Sequence, residues 1–464
     1  MKVKRFLSIV VFQIVVLSLV FATTICSAQE NAFKVNQLKE NDKVYILSSF
    51  WKDASFYFHN PAKLQTIGFD SIYKTMVNKT LETKNDYDFF CLMQKFISLL
   101  DDGHTEFNID AWLDKHIGYD YAPIMIEQIG QQYYIVGIDK EQEPNIPFGS
   151  EVLKINQIPI QNYLDSIIKP YTYGSTNQQK MLQILPRLAF GKQSDSLCLT
   201  IKGKQRDVYI KYNCIEEGLK SANTKIYPKF MKRMGQDAYL TDDGYLYLKP
   251  SNFVNKFILQ SIIEEQDTYQ KAKGIILDLR FNPGGNEDIA DSLLLCFLNI
   301  DTLQTYSSVT KTANAFYAAM GYGYEKYKPY YKNLVLDTMD VDYYVKGDLP
   351  TYNQPMVVLI GSITCSAAED FLLALKLHFP DRCTLIGMPT SGSTGAPFVR
   401  QFPEYNYLFY KICTRAPLVP DKMFENGIQP DIYFEETVED FLSKEDKIIE
   451  IAKETINKKI NAKK

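Results

Sequence analysis

Apolar residues recur at threes and fours along "DFFCLMQKFISLL" (88–100), where Phe89, Phe90, Met93, Phe96, Ile97 and Leu100 would share one helix face. Similar spacing through residues 29–112 predicts a mainly helical region. Asp101-Asp102-Gly103 ends it, with Gly103 placed to take the left-handed position after the last turn. Over 113–220 the pattern shortens to strands and turns. "APIMIEQIGQQYYIVGI" reads as two strands around "IGQQ", and "PFGSEVLKINQIPIQNYLDSIIKPY" as turn, strand, turn and a short helix. "DSLCLTIKGKQRDVYIKYNC" reads as a hairpin around Lys202-Gly203-Lys204. From 221 to 464 the order is strand, helix, strand. "GIILDLRFN" and "PMVVLIG" are continuous apolar runs of the kind buried on both faces. "NEDIADSLLLCFLN" and "SAAEDFLLALKLHF" read as the helices that follow them. "CTLIGMPTSG" is a further strand running into a glycine loop, and a charged helix over roughly 438–460 comes last. Residues 305–350 are Tyr-rich without a clear period and suit a flap or rim over a site.

The pattern predicts a multidomain α+β chain. It has an N-terminal helical region (29–112), a β-rich module (113–220) and a C-terminal α/β domain of strand–helix–strand type (221–464). The preceding residues 1–28 have the layout of a secretory signal peptide. Lys2, Lys4 and Arg5 are followed by a long apolar run and small residues ending at Ala28. The alternative is an uncleaved membrane anchor, since that run nearly reaches spanning length. Either reading puts the protein outside the cytoplasm, in the periplasm or beyond it.

Composition narrows the classes. A formal charge of −4, −7 once the three basic leader residues are gone, and no dense Lys/Arg stripe argue against nucleic acid as a partner. The eight cysteines include Cys26 in the leader. The others are scattered without a CxxC pair, and the four histidines (His59, His104, His116 and His378) stand apart from them in sequence. No metal or cofactor is expected. A Cys198–Cys214 bridge between adjacent strands stays open.

The chemistry centres on Ser366, where a buried strand turns into a helix. Ser366 with Glu369 fits an N-terminal S-x-x-E capping box. It also fits a nucleophile, because a helix N-terminus offers free N–H groups and a positive dipole end. Cys365 is the adjacent rival. Paired glycines in "LDLRFNPGGN" let backbone approach a ligand closely. His104 in "LDDGHTEF" and Glu425 in "MFENGIQPDIYFE" are each ordinary when taken alone.

Together these stretches resemble the tail-specific, or C-terminal-processing, serine peptidases, in the branch that shares the tricorn protease core. The matching segments, in order, are "DGHT", "DLRFNPGG", "SAAE", "TSGSTG" and "ENGIQPD". The resemblance implies a crotonase/Clp-like catalytic core and peptide or protein substrates. It places the nucleophile at Ser366, the base at His104 and its orienting carboxylate at Glu425. The oxyanion donors fall on the backbone N–H of Ala367 and of Gly284 or Gly285. Asp278 and Arg280 anchor the strand end. The lysine used by another branch is absent, Ser393 standing in its place, and Gly103 replaces a serine that precedes the histidine in tricorn. "IPFGSEVLKINQIPI" is similar to a PDZ-module stretch. The competing function is a non-catalytic protein on the same scaffold that binds peptides or small apolar ligands.

Overall fold

The computed structural model describes residues 38–108, 119–141, 143–212, 224–226, 235–405, 408–443 and 445–462. The expected leader 1–28, His116 and Cys214 lie outside them. Among the described residues, no helix is long and apolar enough to cross a membrane.

Three long helices, α1 (Glu40–Tyr57), α2 (Phe69–Glu82) and α3 (Asp86–Ser98), build the N-terminal layer with a short one at Pro61–Ile67. Asn85 caps α3, its side chain accepting the Asp88 N–H at 2.8 Å. The six apolar positions 89, 90, 93, 96, 97 and 100 are all buried, as their spacing predicts. The left-handed residue after α3 is Asp101 (φ 49°), not Gly103. A short strand, β1 (Glu106–Asn108), follows. It pairs with β8 (Leu408–Cys413), whose other neighbour is β7 (Pro397–Phe402). These strands complete the N-terminal core: Phe402, Leu408, Tyr410 and Ile412 pack among Phe50, Phe89 and Phe96. The helical layer therefore closes its core on the C-terminal part of the chain.

Residues 119–212 form small antiparallel sheets packed with helices, including α4 (Asn177–Arg187). The expected hairpin Ile124–Ile129/Gln132–Asp139 is present. Asn156 and Gln157, both at positive φ, make the tight turn between Val152–Ile155 and Ile158–Pro159.

The C-terminal part is a six-stranded sheet. Its strands are β2 (Asp237–Leu240), β3 (Tyr245–Lys249), β4 (Gly274–Asp278), β5 (Met356–Ile360), β6 (Cys383–Gly387) and β9 (Ile432–Tyr433), in that spatial order. All pairs but β2–β3 are parallel. Alternate residues face opposite layers. Ile275, Leu277, Val358 and Leu385 pack under α5 (Glu287–Cys296) and α6 (Ala367–His378). Ile276, Val357, Leu359 and Ile386 pack under α7 (Lys447–Ala462) through Ile448, Ala452 and Ile456. The expected long C-terminal helix is thus two, a short one at Val438–Leu442 and α7. Between them Asp446 ties to the strand end. Arg280 Nη2 donates to Asp446 Oδ2 at 2.8 Å and to Asp278 Oδ2 at 2.7 Å, which anchors the turn beyond β4 as expected. The Tyr-rich tract forms a lobe of short helices and strands, with Phe316, Tyr322 and Tyr343 exposed.

Candidate active site

β4 and β5 are neighbours, and both end in turns at the same edge of the sheet. Beyond β5, Ser366 sits at φ 54°, ψ −128°, a conformation L-residues rarely adopt. The Ser366 N–H is held by the Ser393 carbonyl at 2.9 Å, and its own carbonyl accepts from Glu369 and Asp370. The side chain makes no cap hydrogen bond. The capping-box reading is therefore overturned. Oγ points away from the helix and lies 3.2 Å from Nε2 of His104.

Glu369, the other half of that box, turns inward. Its carboxylate accepts from Thr390 Oγ1 at 2.5 Å, Gly392 N at 2.7 Å and Ser393 N at 2.9 Å. Burial pushes its carboxyl up to about 8, against the pull of those donors. The physical reason is placement: Glu369 is fully buried under the 390–393 loop, where three donors need an acceptor.

His104 comes from the loop between α3 and β1. Its backbone N–H donates to Asp102 Oδ1 at 2.9 Å, and Asp102 Oδ2 is 3.1 Å from His59 Nε2. Burial holds the imidazole below its ordinary value, and nearby Asp102 opposes this in part. The ring is thereby kept in its basic, neutral form. Nδ1 lies 2.7 Å from Ser393 Oγ. Glu425, expected at that position, is exposed, and among the described residues no hydrogen bond joins it to His104. The reason is local: Gly427 N–H folds back on the Phe424 carbonyl, and Ile428 N–H bonds Thr390 Oγ1. That turn leaves the Glu425 side chain at the surface.

The glycine pair sits directly against Ser366. A Cβ on Gly284 (φ 95°) would lie 2.7 Å from the Cys365 carbonyl oxygen and 2.8 Å from Ala367 N. The Gly284 N–H is already committed to Asn282 Oδ1 at 2.8 Å. Gly285 N and Ala367 N have no hydrogen-bond partner among the described residues, and Gly285 is exposed. Of the three expected oxyanion donors, these two are free to act. Cys365 Sγ donates to the Ser393 carbonyl at 3.2 Å, and burial pushes its thiol far up. It is not an activated nucleophile.

Sequence reasoning missed the segment 174–179, which buttresses both the Gly103 turn and the 390–393 loop. Thr176 Oγ1 donates to the Ser391 carbonyl at 2.5 Å, and Gln178 Nε2 to the Thr390 carbonyl at 2.8 Å. A Cβ on Gly103 would fall 2.0 Å from the Gln179 amide, so glycine is there to let this segment dock. No motif marks these contacts. The sequence separation of histidines and cysteines also misleads. His59, Asp102 and Cys413 bring their donor atoms within 4.8 Å of one another behind His104. The Cys413 thiol donates to the Arg415 carbonyl at 3.3 Å, and burial keeps it protonated, so the trio is engaged in its own hydrogen bonds. Cys198 is a free thiol.

Residues 244–434 match the family model described as peptidase family S41. No curated protein matches the sequence. Among solved structures, a mutant of CPAF superposes with a TM-score of 0.67 at 16% identity, covering 90% of this chain and 98% of that one. Mature CPAF complexed with lactacystin gives 0.65 at 15%, covering 90% and 99%. At such identity the likeness speaks to the fold alone. A C-terminal processing protease of photosystem II is more distant, with a TM-score of 0.44 at 13% identity and coverage of 85% and 93%.

Proposed function

We infer, for a chain whose residues 244–434 match the peptidase family S41 model, that Ser366 cleaves peptide bonds by acyl transfer with His104 as base. The observation that carries this reading is the 3.2 Å approach of His104 Nε2 to Ser366 Oγ, between residues 262 apart in sequence. That distance is at the long end for proton transfer and shortens as a substrate fills the site.

Neutral His104 takes the Ser366 proton as Oγ adds to the scissile carbonyl. The oxyanion accepts from Ala367 N–H and Gly285 N–H, each such donor being worth about 3 kcal/mol in the transition state. Nδ1–H donates to Ser393 Oγ, which selects the tautomer with Nε2 free. The imidazolium then protonates the leaving amine, and a water molecule repeats the sequence to release the acyl group. The orienting group in this reading is a serine whose backbone is locked by buried Glu369, and Glu425 takes no part. A carrier protein would have no use for a strained serine facing a buried neutral histidine, and this favours the enzyme over the binding alternative. The leader 1–28 supports action outside the cytoplasm.

The test is fluorophosphonate labelling of the leaderless protein. Labelling that vanishes in Ser366→Ala and His104→Ala supports the reading. A folded wild type that takes no label, or a label that survives Ser366→Ala, sinks it.

A further inference from the structure

The two catalytic turns each open a helix, and the first turns of those helices face one another across a cavity of about 110 Å³. Glu287 and Asp291 line it from α5, Asp370 from α6, and Asp340 and Asp342 from the Tyr-rich lobe. Arg415 is the cation in the lining. It reaches Glu287, with Asp370 Oδ2 at 3.8 Å. Asp370 also accepts from Tyr306 and from Thr394 Oγ1. Five carboxylates thus surround one guanidinium that is already engaged.

Asp291 is the informative member. It is only 4% exposed, lines the cavity, and has no hydrogen-bond or ion-pair partner among the described residues. A buried carboxylate without a partner is costly to ionise, and a cation arriving beside it removes that cost. The exposed acids Asp340 and Asp342 stand at the rim on the solvent side. Asp370 is one helical turn from Ser366, and Glu287 is two residues from Gly285, so the lining comes from the helices that follow both turns.

We propose that this cavity is a specificity subsite that receives a lysine or arginine side chain of the peptide substrate, with Asp291 as its terminal acceptor. The proposal rests on the peptidase reading and names its substrate class. A single water needs only about 10–15 Å³, so the cavity has room for the end of a long side chain and not merely a bare ion. The rim acids attract the cation, and the inner pair of Asp291 and Glu287 gives it hydrogen-bond acceptors. Leucine in the same place would leave Asp291 buried and unpaired, and glutamate would bring a further carboxylate into an acid-lined cavity.

The experiment uses the leaderless full chain and two independent arms. In the first, quenched fluorescent peptides carry a single Arg, Lys, Leu or Glu at each position from three residues before to three after the cleavage point. Arg and Lys should exceed Leu in kcat/KM at least ten-fold at one position, and Asp291→Asn should reduce that ratio ten- to hundred-fold. Asp342→Asn, at the exposed rim, should reduce it two- to five-fold. In the second arm, a fluorescein-labelled Arg peptide binds the Ser366→Ala protein, read by anisotropy. Binding should weaken at least ten-fold on adding Asp291→Asn, and the Leu peptide should bind as weakly as the Arg peptide does to the double variant. Equal cleavage of Arg, Leu and Glu peptides by an enzyme that takes fluorophosphonate overturns the subsite and leaves the peptidase reading standing. Arg-peptide binding indifferent to Asp291→Asn overturns the subsite whatever the catalytic result. Absence of labelling with Asp291-dependent binding overturns the peptidase reading and retains a basic-peptide site.

Discussion

Ser393→Ala removes one atom with one partner. Ser393 Oγ meets His104 Nδ1 at 2.7 Å, while the backbone of the same residue keeps its bonds to Glu369 and to Ser366 N–H. The loop therefore stays in place, and the variant should fold like wild type. In the ground state the lost bond joins neutral groups and is worth about 1 kcal/mol. In the transition state His104 carries a proton, and a hydrogen bond to a charged group is worth about 1.5–3 kcal/mol. Only the difference of about 0.5–2 kcal/mol enters kcat, a fall of about two- to thirty-fold, since each 1.36 kcal/mol is a decade. KM should hardly move, because Oγ lies behind the histidine and touches no substrate. Glu425→Ala, measured beside it, should cost less than about three-fold. The assay is steady-state cleavage of one fluorogenic peptide, with fluorophosphonate labelling rate as a second readout. If Glu425→Ala loses a hundred-fold and Ser393→Ala stays near wild type, the orienting role assigned to Ser393 is wrong and the glutamate swings in to serve.

Other expectations follow from neighbouring features. Burial lowers the His104 pKa, and the base works only when unprotonated. Activity should therefore rise with pH and reach half its plateau below 6.5, read as the acid limb of kcat/KM. Gly284→Ala forces a Cβ within 2.8 Å of Ala367 N at a positive φ, so labelling should fall at least a hundred-fold. Preference for Arg over Leu peptides should grow between pH 6 and 8.5, because burial and the neighbouring acids push Asp291 up to about 8 and Glu287 up to about 7. Above those values both are charged and attract the cation. The groups facing Asp291 are Glu287 and Asp288 on its own helix, Asp370, the lobe residues Asp340, Asp342, Tyr306 and Tyr344, and Arg415. A flat preference across that range would contradict the charge argument. Gly274→Val drives side-chain atoms into Ile456, whose Cγ2 lies 2.3 Å from where the new Cβ would sit, and should lower the melting temperature by prying α7 off the sheet.

The strands and helices around the two turns are legible because burial leaves a strong imprint. Apolar runs such as 355–361 are uninterrupted, and the helix positions 89–100 keep their period. Ser366 and His104 are visible through short motifs at turns. The third partner is not, since spacing cannot say which of two loops faces Nδ1. That choice depends on Glu369 turning inward, and its sequence context favours the opposite, a surface cap. Gly103 fits a helix stop equally well on paper, whereas its place is fixed by Gln179, 76 residues later. β1 is hidden for a similar reason: three residues carry no period, and the strand exists because β8 pairs with it.

The distribution of the catalytic groups along the chain has a consequence for the protein's birth. His104 emerges from the ribosome well over two hundred residues before Ser366, and the segment that braces both lies between them. None of the three can be recruited early by a local contact. Cutting power is therefore a late arrival, switched on by long-range closure and absent from every partly made or partly threaded chain.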